Sequence, residues 1–330
     1  MSWQKRIGSS PALPGYTLLL GAIIVNIFVQ GLTFFSVNNF NSIMTVNTPL
    51  IIAAIAQTIV LLAGGIDLSI GSSITLVNTI IIVLLNTYHW SLGAAILAAL
   101  AAGILIGIFN GIIVAFLRIP PLLATFSTMS IIGGIALLVL PTPGGSVPPV
   151  LYKTYGGTTL GIPNTVFIIA LMAIIWGVIC KYPLGKYIRS VGGSERSSYI
   201  AGINIGTTKF LAYVLSGFMA AVAGISLTAQ TASGDPKIGL AIALNSIAAV
   251  VLGGTRLSGG WGKVGGSVAG ALFLGLVNNI VFFFFNNYIT HISFLASKAS
   301  FIQQLLTNLI IILGLASAVL TQRRKPKAGT

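Results

Sequence analysis

The sequence predicts an all-α, polytopic membrane protein, and three observations carry that expectation. Apolar residues fill 55% of the 330 positions and charged residues only 6%, against roughly 25% charged in a soluble domain. The apolar residues come in runs of about 20, the length at which a helix crosses a hydrocarbon layer. These runs do not alternate apolar with polar as barrel strands do, which leaves helices to satisfy the backbone in lipid.

Taken in order, the runs bounded by charges, Gly and Pro predict spans at 16–36, 43–63, 69–87, 91–117, 121–140, 162–180, 207–229, 238–254, 265–285 and 299–320. About ten helices in one domain, 1–330, follow. Lys5 and Arg6 precede the first run in the manner of a signal peptide, but the run is too long and no small-residue cleavage pattern follows. It is therefore counted as a span.

A net charge of +14, from 17 bases and three acids, would in a soluble chain suggest nucleic acid. Here the bases sit singly or in pairs between apolar runs, and only Arg323, Arg324, Lys325 and Lys327 cluster. They read as topology signals and contacts to a lipid bilayer, which sets nucleic acid aside as a partner. With both termini in the cytoplasm, 14 bases fall on the inner side and only Lys153, Lys237 and Lys298 on the outer side, as the excess of Lys and Arg in inner loops requires. Two connections are long. The outer one, 141–163, is rich in Pro and Gly and is expected to lack regular structure; the inner one, 181–207, is strongly basic.

A short internal repeat is visible: Gly64-Gly-Ile-Asp-Leu-Ser-Ile-Gly71 matches Gly253-Gly-Thr-Arg-Leu-Ser-Gly-Gly260 at five of eight positions, with an offset of 189. Both copies follow a span running in the same direction, so halves near 40–140 and 230–322 are expected to be parallel structural repeats.

No catalytic constellation can be assembled. His89 and His291 lie in short connections without a neighbouring acid, Cys180 is the single cysteine, and no phosphate-binding Gly-x4-Gly-Lys-Ser/Thr loop occurs. Asp67 is the sharpest residue, because an acid at mid-depth costs about 2.5–3.5 kcal/mol. It is either a pathway residue, a structural lock, or the cap of the helix that begins near Ser69. Gln57, Asn245, Asn278 and Asn308 place uncharged amides within spans, where they suit a polyol better than an ion or else bond to neighbouring helices. Gly103, Gly107 and Gly111, like Gly262, Gly266 and Gly270, recur every four residues and predict close helix packing.

Four stretches carry a family resemblance. The inner loop Gly192-Gly-Ser-Glu-Arg-Ser-Ser-Tyr-Ile-Ala-Gly-Ile-Asn204 is similar to the coupling loop of ATP-binding-cassette (ABC) importer permeases. Gly64 to Gly71, Asn110-Gly-Ile-Ile-Val-Ala-Phe-Leu-Arg-Ile-Pro120 and Ala248-Ala-Val-Val-Leu-Gly-Gly-Thr-Arg-Leu-Ser-Gly-Gly260 resemble the ribose/xylose/galactose-type permease family. The loop departs from the usual pattern at Arg196, Ser197 and Ser198, where small Ala residues are commoner. The resemblance implies a multi-pass subunit of the bacterial inner membrane that imports a sugar or similar small polar solute. It also implies a second permease copy or paralogue, a periplasmic solute-binding protein, and ABC ATPase subunits docking at Gly192, Gly193, Glu195, Arg196, Gly202 and Ile203. ATP and Mg would then belong to the partner subunits, with no cofactor on this chain. The alternative expectation is an ion-coupled secondary transporter in which Asp67 is the coupling carboxylate.

Overall fold

In the computed structural model, which describes residues 10–289, 301–303, 305–306, 308–309 and 312, the chain is almost wholly helical. Its elements are α1 (Leu13–Gln30), followed by a short 3-10 turn, α2 (Val37–Leu62), α3 (Ile70–Asn86), α4 (Leu92–Ala115), α5 (Pro121–Val139) and α6 (Pro149–Gly156). There follow α7 (Asn164–Lys181), α8 (Pro183–Gly193), α9 (Glu195–Ile200), α10 (Ile205–Thr231), α11 (Leu240–Leu252) and α12 (Val264–Phe284). Nine of the ten expected spans are present as helices among the described residues; most of the tenth, 299–320, lies outside them, as do Lys5, Arg6, His291, Lys298 and the C-terminal bases.

Among the described residues, seven helices are long and apolar enough to cross a membrane, and α3 and α11 are shorter apolar helices. At 1.5 Å per residue the 13 residues of α11 reach only about 20 Å, short of the roughly 30 Å of a hydrocarbon core. The expected span 238–254 is therefore corrected to a helix of about two-thirds the spanning length. The expectation that 141–163 lacks regular structure is also corrected. Pro149 starts α6 at a position where a missing N–H costs nothing. Thr158–Thr159 and Ile162–Pro163 then pair as a minimal hairpin, turned by Leu160 and Gly161, both at positive φ as a two-residue primed turn demands.

The core is built around α2, whose Ile51 to Leu62 stretch is completely buried. α10 packs across it, with Ile52, Ile55, Ile59, Met219 and Ala223 in one apolar cluster. α4 packs closely against α10: a methyl group on Gly103 would come within 2.8 Å of the Gly217 carbonyl oxygen. With lipid as solvent there is no hydrophobic drive between helices, so such backbone proximity is what gives the pair its packing attraction. Gly266 and Gly270 do the same for α12, against Gly253 and Ala249.

The connections separate into two ends. At one end, Gly144 and Gly234 pair through their backbones and Asn86 bonds to the Ser146 carbonyl. The other end holds the 63–69 and 253–263 connections and the basic α8–α9 region. The two double-glycine motifs close α2 and α11 identically, but one residue out of the register the sequence suggests. Gly64 (φ 84°) and Gly254 (φ 87°) are the equivalent left-handed positions. Gly64 N donates to Leu61 O and Gly65 N to Val60 O, as Gly254 N does to Val251 O and Thr255 N to Val250 O. This is a Schellman closure, and it sets the offset at 190 rather than 189. Sequence identity pairs Gly64 with Gly253, yet the turn needs glycine at the left-handed residue alone.

Candidate functional site

Three features stand out: an amide-lined cavity, a buried carboxylate cluster, and a junction of glycines beside α9.

The cavity has a volume of about 760 Å³, within the roughly 300–1,000 Å³ of small-molecule sites. It opens between the N-terminal part of α2, α11 and the C-terminal part of α12. Asn47, Asn245, Asn278, Asn279, Gln303 and Asn308 reach it, beside Leu244 and Phe282, and among the described residues no charged side chain lines it. The structure thus brings Asn245, Asn278 and Asn308 together at one cavity. Asn47 and Gln303 escaped the sequence reading because they come from segments far apart in the chain. Gly275 leaves the space that Asn47 occupies, since a methyl group there would collide with the Asn47 amide. Part of the amide set is structural: Gln30 Nε2 donates to Asn26 Oδ1 at 2.9 Å and to Asn279 Oδ1 at 2.5 Å, tying α12 to α1.

Gln57 and Asp67 do not join this cavity. Gln57 is fully buried in the C-terminal part of α2, and its amide has no partner among the described residues. Asp67 lies in the connection between α2 and α3, 4% exposed. Its Oδ1 accepts from Ser69 N at 2.9 Å and Ser69 Oγ at 2.6 Å, and its Oδ2 from Ser216 Oγ at 3.1 Å. Asn110 Nδ2 donates to Ser69 Oγ at 2.7 Å. No base pairs with the carboxyl; among the described residues the one ion pair is Lys209 with Glu195. Asp67 therefore ties the α2–α3 connection to α10 directly and to α4 through Ser69. Asn110, named in the sequence only as the first residue of a family-like stretch, proves to be part of this cluster.

The inner loop expected at 181–207 is mostly helical. Gly192 and Gly193 end α8 rather than opening the next helix, and Ser194 caps α9 by accepting from Ser197 N at 3.2 Å. Gly202 (φ 78°) closes α9 with the same Schellman pattern, Gly202 N to Tyr199 O and Ile203 N to Ser198 O. Glu195 turns back onto Lys209 of α10. Beyond the exposed Glu195, Arg196 and Ser197, α9 presents outward Tyr199 and Ile200, 74% and 78% exposed, an apolar knob that attention to the polar residues of the loop had passed over.

Behind that knob three chain segments meet backbone to backbone. Gly260 N donates to Leu62 O at 3.2 Å. A methyl on Gly192 would collide with the Leu62 carbonyl and stand 2.8 Å from Gly260 N; one on Gly259 would stand 2.8 Å from Gly64 Cα. Arg189 Nη1 adds a bond of 3.2 Å to Gly262 O. The end of α8, and α9 with it, is thereby held rigidly against the closures of both glycine motifs.

Over residues 39–315 the sequence matches the family described as branched-chain amino acid transport system / permease component. That match spans most of the chain. The chain belongs to this permease family. It is 36% identical over 252 residues to the ribose import permease protein RbsC of Haemophilus influenzae, covering 74% of this chain and 78% of that protein. It is 38% identical over 231 residues to the galactofuranose transporter permease protein YtfT of Escherichia coli, covering 68% and 67%. A probable ABC transporter permease protein, y4mJ, of Sinorhizobium fredii is 31% identical over 272 residues, covering 79% and 80%. No solved structure matches. As an ABC importer permease of this family, the protein is a multi-pass transport subunit of the inner membrane and not an enzyme.

Proposed function

We propose that this permease passes a neutral sugar, or a similar small polyol, through the cavity between α2, α11 and α12, driven by ATP hydrolysis on separate subunits. The observation that carries this reading is the chemistry of the cavity wall. Amides donate to and accept from hydroxyl groups, whereas the carboxylate and ammonium of an amino acid are held best by opposite charges, and the described residues of the wall offer none. The names of the ribose and galactofuranose relatives support the same substrate class. Asp67 lies away from the cavity and is held by neutral donors, which favours a structural lock over ion coupling.

In this reading α9 is the element on which an ATPase subunit bears, with Tyr199 and Ile200 as the contact and the glycine junction carrying the displacement into α2 and the 253–263 connection. The basic end faces the cytoplasm, as Arg118, Lys181, Lys186, Arg189, Arg196 and Lys209 there require of inner loops. Leu244 and Phe282, exposed at the cavity mouth, face a second permease copy, with a periplasmic binding protein delivering solute from the opposite end. The shared closure of α2 and α11 supports treating 40–140 and 230–322 as repeats.

The test is uptake into vesicles reconstituted with the ATPase and binding-protein partners, offering a panel of neutral pentoses and hexoses against leucine. Uptake of a sugar but not leucine is expected; uptake of leucine alone would overturn the proposal. Tyr199→Ala with Ile200→Asp is expected to lose the ATPase on co-purification from detergent.

A further inference from the structure

The basic end holds a second recess, separate from the amide-lined cavity and bordered by α9. It measures about 950 Å³ and lies between the α4–α5 connection, α9 and the start of α10. Arg118, Arg196 and Lys209 line it with Glu195 as the one acid, and Glu195 is already neutralised by Lys209. The recess therefore carries two uncompensated guanidinium groups, on Arg118 and Arg196. Both are exposed, and neither donates to another group among the described residues. Arg118 sits at positive φ, 56°, where glycine or asparagine would be less strained. An arginine kept in that conformation projects its charge from the turn itself.

The lower wall is apolar. Phe116 and Ile119 line the recess, and they are exposed together with the adjoining Leu117, Leu122 and Leu123. These residues continue α4 and α5, two helices long and apolar enough to span the membrane. A cationic rim thus stands directly above a lipid-facing hydrocarbon surface, at the depth where one helix leaves the bilayer and the next enters it.

We infer that this recess binds the headgroup of an anionic phospholipid, with the phosphate bridging Arg118 and Arg196 and the acyl chains lying along Phe116 and Ile119. Planar guanidinium forks suit phosphate oxygens, and basic recesses beside spanning helices take anionic headgroups. An acidic protein segment would satisfy the two arginines but would leave the apolar wall below them uncovered, so a lipid is the occupant that matches both surfaces. Because Arg196 is on α9 and Arg118 on the α4–α5 turn, a bound lipid would also brace α9 against the membrane.

The test is native mass spectrometry of the purified full chain after exchange into mixed phosphatidylcholine and phosphatidylglycerol. Wild type is expected to retain phosphatidylglycerol preferentially, and Arg118→Gln with Arg196→Gln to reduce that retention about tenfold or more, while Lys153→Gln, at the opposite end, leaves it unchanged. The unfolding temperature should be the same in all three, since neither arginine is tied into the fold. Equal retention by the double variant, or no preference for phosphatidylglycerol in wild type, overturns the inference. So would a double variant that keeps the lipid but loses a bound ATPase subunit, because the recess would then be a protein-docking surface. The readout needs no transport, so it stands or falls separately from the substrate proposed above.

Discussion

The glycine junction beside α9 and the amide cavity between α2, α11 and α12 are opposite solutions within one bundle. At the junction, Gly64, Gly192, Gly259 and Gly260 bring three backbones to contact distance with no side chain between them. At the cavity, six amides and two large apolar residues stand around open space. Backbone cannot rotate out of the way, so a displacement applied at Gly192 must be carried onward. A side chain in the cavity can yield, so the wall can accommodate a solute that changes orientation as it passes. Rigidity is concentrated where force would enter, and tolerance where the cargo would move.

The sharpest way to break this contrast is Gly192→Ala. Alanine is the better helix former, by up to about 1 kcal/mol, but the new methyl would run into the Leu62 carbonyl and approach Gly260 N. Overpacking commonly costs about 1–3 kcal/mol, and more when the neighbour is fixed backbone, so the collision outweighs the propensity gain. A fall in the detergent unfolding temperature and loss of uptake are expected. Gly193→Ala, one residue on, meets nothing within 4 Å and is expected to match or exceed wild type. Equal behaviour of the two variants would remove the junction from the mechanism.

Asp67 is next in size. Asp67→Ala strands the Ser69 amide and frees the Ser69 and Ser216 hydroxyls in a buried setting, a loss of about 1–3 kcal/mol. Asp67→Asn keeps an oxygen for Ser69 and offers an N–H to Ser216. It should restore most of the stability and leave uptake intact. Were Asp67 a coupling carboxylate, Asp67→Asn would abolish uptake without lowering the melting temperature.

How far the sequence reveals this arrangement depends on how local each signal is. Helices α1 to α5, α7 and α10 to α12 are legible because a continuous apolar run is local information, and the inner basic positions among the described residues gather at one end as the charge count suggests. The register of the repeat is not legible. A string such as Gly253-Gly254 does not say which glycine takes the left-handed turn, and the hydrogen bonds from Gly254 and Thr255 decide it. Nor can periodicity tell Gln57 from Asn245: both are amides in apolar helices, yet one faces the fully packed side of α2 and the other a cavity whose wall is assembled from three distant segments. Asn47 enters that wall only because Gly275, 228 positions later in the chain, has no side chain, a relation visible only once the helices are packed.

The cavity gives the smallest effects on stability and the most specific ones on transport. Gly275→Ala would push against the end of the Asn47 side chain, which can swing away by giving up its bond to the Ile43 carbonyl; the cost should stay near 1 kcal/mol. Asn278→Ala should cost less still, within about 0.5 kcal/mol, because Asn278 is exposed and surface substitutions of that kind are nearly neutral. If the amides guide a sugar, Asn278→Ala lowers the uptake rate severalfold with an unchanged melting temperature, and Asn278→Asp, which introduces charge without altering size, lowers it further. If the cavity is only a gap at the edge of the bundle, both variants transport as wild type does. The contrast with Gly192 then narrows to a difference in packing, and the route of the solute must be sought elsewhere between the helices.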